Sequence, residues 1–350
     1  QRVGGQVYQR AVGMADRDRR IAMVPDARFR LASVTKPVLS ALFMALVEDG
    51  VFDLAAPITD YLPSFRPRLA SGEEPVITLH HLMTHSSGLG YRFLESEDGP
   101  YALAGVADGL DQPGVSFEEN LARLASAPLY FPPGQGWRYS VGLDVLGAAA
   151  EAATGRPLQA LLDDKISGPL GLTSLAFYVP PSEDDLVVPY VSDTPEPHVL
   201  GEGERVPLWD EGGVTFLPSR AYSPDAFPSA GGGLVGTAPD LMTFFQTILA
   251  GGGPILRPDT VARMLQNQLP EGQFTMHGPG WGFGYGWGVL VEPQGPAAHL
   301  PRGLVRWGGV YGHSWFMDPG AGRISLLLTN TIFEGMSGRL SEEVPRAFYG

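Results

Sequence analysis

Short β-rich runs separated by glycine-rich turns dominate residues 281–330 of this 350-residue chain, and they constrain its fold more than any other feature. Runs such as GLVRWGG, HSWFMDP and GRISLLLTN are typical of an antiparallel meander. A strand is also indicated near the beginning, over Gly4–Asp16, whereas helices and loops occupy the middle. This order predicts an α/β (α+β) fold, in which an antiparallel β-sheet is flanked by helices and carries an inserted, mainly helical domain.

The expected domain boundaries follow from the same order of elements. Residues 1–60 and 225–350 are assigned to one α/β domain built from both termini, and residues 61–224 to the helical, loop-rich insertion. An active site is expected in the cleft between them. Residues 178–233 show no clear period and predict long loops. The predicted helices are one that follows Ser33 and ends at Gly50, then Phe117–Ala125, Leu143–Ala153, one from Asp240, and Glu342–Tyr349.

Composition and charge exclude several classes of function. The chain has no cysteine, so it can form no disulfide, thiolate nucleophile, Fe–S cluster or Cys-ligated zinc site. Its net charge of −14 argues against nucleic acids and anionic membrane surfaces as partners, and no apolar run approaches a membrane span. The chain begins at Gln1, so a leading segment is expected to be missing and a signal peptide would be invisible. A cytoplasmic location is favoured over a periplasmic or secreted one, and nothing indicates an oligomeric state.

Ser33 and Lys36 form a Ser-x-x-Lys pattern, and Lys36 is one of only two lysines among 24 basic residues. Ser33 and Pro37 predict the start of a helix, where unpaired N–H groups favour Ser and tolerate Pro. Residues three apart share a helix face, so Lys36 can reach the Ser33 hydroxyl. A partly buried Lys can lose its proton and act as a base, which Arg cannot. The alternative is a capping serine followed by a solvated lysine.

Two further motifs give this pair its context. FPPGQGWRYS ends in Tyr139-Ser140-Val141 just before a predicted helix, and Trp307-Gly308-Gly309 ends a predicted strand. Together with ITLHHLMTHSSGL and LLLTN, these motifs resemble the serine β-lactamase and penicillin-binding-protein family over nearly the whole chain. Class C β-lactamases carry Tyr-x-Asn and Lys-Thr-Gly at the second and third motifs. The departures resemble family VIII carboxylesterases, and RLASVTKP and WGGVYGHSWF look especially close to the cephalosporin-deacetylating esterase of that group.

The resemblance implies a β-lactamase/transpeptidase-like fold and a serine esterase that needs no metal or cofactor. Ser33 would be the nucleophile that forms an acyl-enzyme, and Lys36 and Tyr139 would share the role of general base, as a neutral Lys or a tyrosinate. Tyr139 would then return the proton to the leaving alcohol. The backbone N–H groups of Ser33 and Val310 would form the oxyanion hole.

The departures from the family motifs imply a substrate class. In β-lactamases the Asn and Lys that are replaced here contact the substrate's amide side chain and its carboxylate. Val141 and Trp307 offer apolar surface instead, and Gly308 and Gly309 let the strand edge approach the substrate. We therefore expect neutral, moderately apolar, short- to medium-chain carboxylic esters to be preferred over β-lactams. Acetyl esters of cephalosporin-like molecules are a more specific hypothesis, and His313 is expected either to modulate substrate binding or to be a structural turn residue.

Four other patterns have competing interpretations. GHSWF imitates the Gly-x-Ser-x-Gly elbow with Ser314 as nucleophile, but the third glycine and a downstream His are absent. SAGGGLVG (229–236) lacks the Lys-Ser/Thr of a phosphate loop, so tight backbone packing near the site or a turn into a helix fits better. WGFGYGWG (281–288) either lines an acyl pocket or forms a strand with aromatic packing. Hydrogen-bonded packing, rather than zinc binding, is predicted for the histidines at positions 80, 81 and 85.

Other activities remain open for the same catalytic set. An amidase or D-peptidase of this fold would use the same nucleophile, and an acyltransferase would differ only in the group that resolves the acyl-enzyme. A penicillin-binding sensor module without turnover is a further alternative.

Overall fold

The computed structural model describes residues 8–181, 186–193, 195–209 and 211–349. Within them the β-strands are β1 Met14–Asp16, β2 Ile21–Ala22, β3 Arg28–Arg30, β4 Tyr190–Val191, β5 His198–Val199, β6 Glu204–Pro207, β7 Gly213–Phe216, β8 Val235–Thr237, β9 Trp281–Phe283, β10 Gly288–Leu290, β11 Val305–Gly309, β12 His313–Asp318 and β13 Arg323–Leu327.

The α-helices of the described residues are α1 Thr35–Glu48, α2 Leu79–Met83, α3 Pro100–Leu103, α4 Phe117–Ser126, α5 Gly142–Thr154, α6 Leu158–Leu162, α7 Gly168–Leu170, α8 Ala238–Leu249, α9 Pro258–Met264, α10 Glu334–Ser337 and α11 Leu340–Tyr349. Short 3₁₀ turns lie at Ala32–Val34, Ile58–Asp60, Arg92–Leu94, Pro218–Tyr222 and Gly295–Ala297, and Asp163–Ser167 forms a π turn. None of these helices is long and apolar enough to cross a membrane.

The largest sheet contains five antiparallel strands in the order β13-β12-β11-β10-β9. Its strands follow one another along the chain, which confirms the predicted antiparallel meander. In the register of β11 and β12, Trp307 lies opposite Trp315, and Gly308 lies opposite Ser314. Elsewhere β3 pairs antiparallel with β8, so the segment that precedes Ser33 is fixed against residues 235–237.

Ten of the fourteen side chains of helix α1 are apolar. Twelve of its fourteen residues are buried, including Leu39 and Phe43. A helix that is apolar on all sides must be surrounded by protein. Here α5 and the π turn pack against α1, and α5 ends at Gly155, whose φ of +65° favours glycine.

The predicted helices after residue 100 correspond to α4, α5, α8 and α11 within two residues at each end. The strand predicted over Gly4–Asp16 is shorter: only Met14–Asp16 is a strand, and residues 1–7 lie outside the described residues. The segment predicted as long loops contains four short strands, β4 to β7. Side chains of α1, α5 and the large sheet share one hydrophobic cluster, so the division at residues 60 and 225 stays a prediction.

Candidate active site

Ser33 lies in the 3₁₀ turn Ala32–Val34, between β3 and α1. The helix begins at Thr35, two residues later than expected, and Ser33 does not cap it. The preceding residue, Ala32, has a φ of +45°, a left-handed conformation that is costly for a residue with a side chain. Strained backbone of this kind concentrates at functional sites. It presents the Ser33 hydroxyl at the N-terminal end of α1, where the helix dipole favours negative charge.

Two side chains converge on the Ser33 hydroxyl. The Tyr139 hydroxyl donates a hydrogen bond of 2.7 Å to Ser33 Oγ, and Lys36 Nζ lies 3.2 Å from the same oxygen. Tyr139 reaches the site from the segment that precedes α5, and the Lys36 Nζ lies 4.6 Å from the centre of its ring. The structure therefore brings Tyr139 to Ser33 and Lys36, from which it is separated by more than a hundred positions in the sequence.

Lys36 is completely buried in this site. Burial lowers its pKa to about 7, and the opposing charges of Asp144 and Asp108 keep the value from falling further. The ammonium is held by one strong acceptor, the Gly231 carbonyl oxygen at 2.6 Å. A substantial fraction of the lysine is therefore neutral near pH 7 and able to accept a proton.

Burial favours the neutral form of Tyr139 as it does that of Lys36. Its ring is buried, and burial raises the pKa of its hydroxyl well above the usual value. Trp307 Nε1 donates a hydrogen bond of 3.2 Å to the Tyr139 hydroxyl, which opposes this rise without cancelling it. Tyr139 is therefore a neutral phenol at neutral pH, and this supports the neutral-lysine form of the predicted general base.

Trp307 also fixes the position of Tyr139 by packing. The two ring centroids are 5.1 Å apart, and Trp307 further contacts Phe283 at 5.3 Å and His277 at 5.0 Å. Phe283 belongs to the WGFGYGWG run, whose Tyr285 and Trp287 are fully buried and do not line the cavity described below. The run therefore forms strand β9 and the turn that leads to β10 at Gly288, with aromatic packing, which agrees with the second of its two interpretations.

The end of β11 lies directly against the turn that holds Ser33. A side chain at Gly309 would place its Cβ 2.7 Å from the Leu31 carbonyl oxygen, so only glycine permits this approach. Val310 follows at once, and both Ser33 and Val310 line the same cavity. Among the described residues, neither the Ser33 N–H nor the Val310 N–H has a hydrogen-bond acceptor in the protein. Both amides are therefore free to stabilise an oxyanion.

A cavity of about 110 Å³ opens beside Ser33. Its walls are mainly apolar, and Trp209 and Met276 at its rim are 50% and 40% exposed, which identifies the mouth of the cavity. Its lining residues are Ser33, Phe93, Tyr139, Leu208, Trp209, Met276, His277, Arg306, Trp307, Gly308, Val310, Ser314, Gly335 and Met336.

Three residues expected to contact substrate do not line this cavity. Val141 is fully buried in the core just before α5, because the chain turns inward there to begin the helix. His313 is also fully buried: its Nε2 lies 2.8 Å from the Arg30 carbonyl oxygen, and its Nδ1 accepts from Thr329 N–H. Burial lowers its pKa to about 4, so it is a neutral, structural residue. Gly309 packs against the Ser33 turn, as described above.

The three histidines of the HHLMTH segment take separate partners. His80 Nδ1 lies 2.8 Å from the Tyr285 hydroxyl, and His81 Nδ1 accepts from Thr78 N–H in a capping box at the start of α2. His85 Nδ1 accepts from Ser140 N–H at 3.2 Å. Within the described residues no cluster of His, Asp and Glu has the arrangement of a metal site.

Ser314 does not form a nucleophile elbow, because it lies inside β12 and is followed by more strand. Its neighbours therefore lack the strand-to-helix turn that the elbow requires. It nevertheless lines the cavity, opposite Gly308.

Asp144 and Gly231 were not identified from the sequence. Gly231 belongs to the SAGGGLVG segment: its carbonyl oxygen accepts from Lys36, and its N–H donates to Asp144 Oδ1 at 3.2 Å. A Cβ at Gly231 would lie 2.6 Å from Asp144 Oδ2, which agrees with the interpretation of this segment as tight packing near the site. The sequence signal available for Asp144 is that it is one of two carboxylates, with Glu151, in the otherwise apolar stretch LDVLGAAAEAA.

Known proteins share this arrangement of chain and fold. A family model described as Beta-lactamase matches residues 2–342. Esterase EstB of Burkholderia gladioli is 46% identical over 350 residues, which cover 99% of this chain and 88% of that protein. Monacolin J acid methylbutanoyltransferase of Aspergillus terreus is 29% identical over 331 residues, which cover 86% of this chain and 76% of that protein.

Among solved structures, "EstCE1, a hydrolase with promiscuous acyltransferase activity" is similar with a TM-score of 0.93 and 39% sequence identity, covering 100% of this chain and 92% of that one. A Simvastatin Synthase from Aspergillus terreus, with a TM-score of 0.76 at 22% identity, shares the fold. The predicted fold class is thereby confirmed.

Proposed function

This chain belongs to the Beta-lactamase family, and from that premise we propose that it is a serine carboxylesterase, which hydrolyses short- to medium-chain esters of small molecules through an acyl-enzyme. The observation that carries the proposal is the convergence of Lys36 Nζ and the Tyr139 hydroxyl on Ser33 Oγ, at 3.2 and 2.7 Å. Esterase EstB, at 46% identity, and EstCE1, at 39%, bear the names of an esterase and a hydrolase.

Acylation begins with the neutral amine of Lys36, which takes the proton of the Ser33 hydroxyl as Oγ attacks the ester carbonyl carbon. The C–O bond to the alcohol then breaks, and the Tyr139 phenol protonates the leaving oxygen. The Lys36 ammonium then returns its proton to the Tyr139 phenolate, whose ring centre lies 4.6 Å from Lys36 Nζ. A water molecule, activated in the same way, releases the acid and restores Ser33.

The tetrahedral intermediate carries its negative charge on the former carbonyl oxygen. The free N–H groups of Ser33 and Val310 are the candidates to bind it. One such donor typically contributes about 3 kcal/mol to the stability of the transition state.

The mainly apolar cavity supports an ester substrate with apolar groups, and Trp307, which lines that cavity in place of the Lys of the third family motif, disfavours β-lactams. The acetyl ester of a cephalosporin-like molecule stays the more specific hypothesis for the substrate. The cytoplasmic location and the two-domain division stay predictions, which cell fractionation and limited proteolysis would test.

Acyl transfer is the second candidate activity, because apolar side chains surround the mouth of the cavity. Trp209 and Met276 are large and half-exposed there, so an apolar alcohol would compete with water for the acyl-enzyme. EstCE1 is described as a hydrolase with promiscuous acyltransferase activity. Rising yields of ester product from 4-nitrophenyl butyrate with added 1-butanol, at an unchanged rate of 4-nitrophenol release, would demonstrate transfer.

The proposed function is tested with 4-nitrophenyl butyrate and the β-lactam nitrocefin. We expect turnover of the ester and little turnover of nitrocefin by the wild type, and loss of ester turnover in Ser33→Ala. Lys165→Ala, which changes the only other lysine, is the matched control for Lys36→Ala. Ester turnover that survives Ser33→Ala would exclude Ser33 as the nucleophile and direct attention to Ser314. Labelling without product release would indicate a covalent binder, and efficient cleavage of a D-Ala-D-Ala peptide would indicate a peptidase.

A further inference from the structure

Arg306 is a half-buried cation in the wall of the active-site cavity. Among the described residues, its guanidinium has neither a carboxylate partner nor a hydrogen-bond acceptor. The guanidinium carbon lies 5.7 Å from the centroid of the Trp281 ring. Arg220, the other buried arginine near the site, differs because it donates to the Phe227 carbonyl oxygen at 2.6 Å. The sequence motifs did not single out Arg306, although it directly precedes Trp307.

The sheet places a hydroxyl beside this guanidinium. Side chains two apart on a strand share a face, so Arg306 and Gly308 lie on one face of β11. Ser314 lies opposite Gly308 on β12, and therefore on the same face as Arg306. Because Gly308 has no side chain, nothing from β11 separates the two groups from the cavity, which both of them line.

His277 adds a third polar group to the lining of the same cavity. Its ring contacts Trp307 and Trp281, at 5.0 and 5.2 Å, and its Nε2 is buried without a hydrogen-bond partner among the described residues. Burial, reinforced by the nearby charge of Arg306, lowers the pKa of His277 to about 3. The imidazole is therefore neutral and can donate a hydrogen bond without competing for a carboxylate as a second protein charge.

Placing a guanidinium in a mainly apolar cavity without an anion is unfavourable in free energy, because the charge loses contact with water and gains no ionic partner. Arginine presents a planar fork of donors that matches a carboxylate, and hydrogen bonds between ionised groups are the stronger ones. We propose that Arg306, with Ser314 and His277, forms a carboxylate-binding subsite, and that the esters which this enzyme hydrolyses best carry a carboxylate in addition to the ester group. This inference rests on the proposed esterase function, and it revises the expectation of neutral substrates.

The subsite makes a testable distinction between two pairs of esters of similar size. Mono(4-nitrophenyl) glutarate and 4-nitrophenyl valerate differ by a carboxylate on the acyl side. The second pair, 4-acetoxybenzoate and its methyl ester, differs by a carboxylate on the alcohol side. The quantity measured is the ratio of kcat/KM for the anionic ester to kcat/KM for its neutral partner.

We expect Arg306→Gln to lower this ratio about tenfold or more in one of the two pairs, mostly through KM, because an ionic hydrogen bond is lost. Ser314→Ala should lower the ratio in the same pair by about threefold, the loss expected for one neutral donor. Arg302→Gln, which changes an exposed arginine three residues before β11 begins, is the matched control. A ratio that is the same in wild type and Arg306→Gln for both pairs would overturn the proposal.

A binding measurement keeps the subsite independent of turnover. Ser33→Ala protein is titrated with 4-acetoxybenzoate, and tryptophan fluorescence or calorimetry reports the affinity, alone and combined with Arg306→Gln. Weaker binding in the double variant supports the subsite even if no ester is hydrolysed, a result that would refute the esterase proposal alone. Ser33-dependent hydrolysis of the neutral esters, with neither binding nor turnover sensitive to Arg306, would refute the subsite alone. Thermal unfolding of each variant confirms that it is folded.

Discussion

Two walls of the cavity, the one around Ser33 and the one that carries Arg306, differ in whether their polar groups have partners in the protein. Around Ser33, each catalytic side chain has protein partners: Lys36 contacts Ser33 and Gly231, and Tyr139 contacts Ser33 and Trp307. On the face of the sheet that carries Arg306, the guanidinium has no acceptor among the described residues. Groups that perform chemistry must be positioned before substrate arrives. Groups that recognise substrate can lack a partner in the free protein, because the substrate itself supplies that partner. The difference therefore separates reaction from recognition.

The largest loss of activity is expected from a change at Lys36 that prevents its side chain from becoming neutral. Lys36→Arg retains the positive charge but removes the base, because an arginine side chain does not lose its proton at usable pH. We expect kcat for 4-nitrophenyl butyrate to fall roughly 10³-fold, within the range for loss of a general base. Lys165→Arg, on the surface, should leave kcat unchanged. A loss below tenfold in Lys36→Arg would mean that the lysine acts by its charge, and Tyr139 would have to be the base.

Keeping this lysine neutral inside the protein should reduce the stability of the fold. Its pKa of about 7 in the folded protein lies below the usual lysine value of 10.5, so between these two pH values the unfolded chain binds the additional proton. Stability from this group is thus lost as pH falls from 10.5 toward 7. Lys36→Met should raise the free energy of unfolding by roughly 2 kcal/mol at pH 7, and by less at pH 10. Urea unfolding at both pH values measures this; equal changes would show that the lysine titrates normally.

These two predictions start from residues that the sequence identified, and the reason is local. Ser33 and Lys36 are three residues apart on one turn, and Tyr139 and Trp307 belong to motifs that the family resemblance supplied. The direction in which other side chains point depends on tertiary packing, which the sequence alone does not reveal. His313 follows the motif WGG at short distance, yet it bonds to the Arg30 carbonyl oxygen behind the sheet. From the sequence alone, Arg306 is indistinguishable from an ordinary charged residue on a strand. The sheet register shows on which face its side chain lies, and the structure shows no carboxylate partner for it among the described residues.

Trp307 lies between the two walls, and its contribution to catalysis can be measured by removing its indole N–H group. Trp307→Phe keeps an aromatic ring beside Tyr139 but removes the Nε1–H that donates to the Tyr139 hydroxyl at 3.2 Å. We expect kcat to fall about fivefold, the effect of one neutral hydrogen bond. Because Trp307 lies next to Arg306, the ratio between anionic and neutral esters is the sharper readout. A ratio that changes more than kcat would mean that Trp307 belongs to recognition rather than to the positioning of Tyr139.

The smallest expected effect concerns Asp144, whose charge is expected to influence the pKa of Lys36 and therefore the pH dependence of catalysis. The charge of Asp144 raises the pKa of Lys36, so its removal lowers that pKa below about 7. For the wild type, kcat/KM should rise with pH as Lys36 loses its proton, with a midpoint near 7. No fall from ionisation of Tyr139 is expected below pH 10, because burial raises the pKa of that hydroxyl.

In Asp144→Asn the same rise should occur at lower pH, by about half a pH unit, because a like-sized neutral side chain replaces the buried charge. At pH 6 the variant would then be more active relative to its own maximum than the wild type. The shift of the midpoint, measured with the neutral ester, is independent of any loss in kcat from altered packing around Gly231. An unchanged midpoint, in a variant that unfolds cooperatively, would show that burial alone sets the pKa of Lys36 and that Asp144 serves only to hold the Gly231 N–H in place.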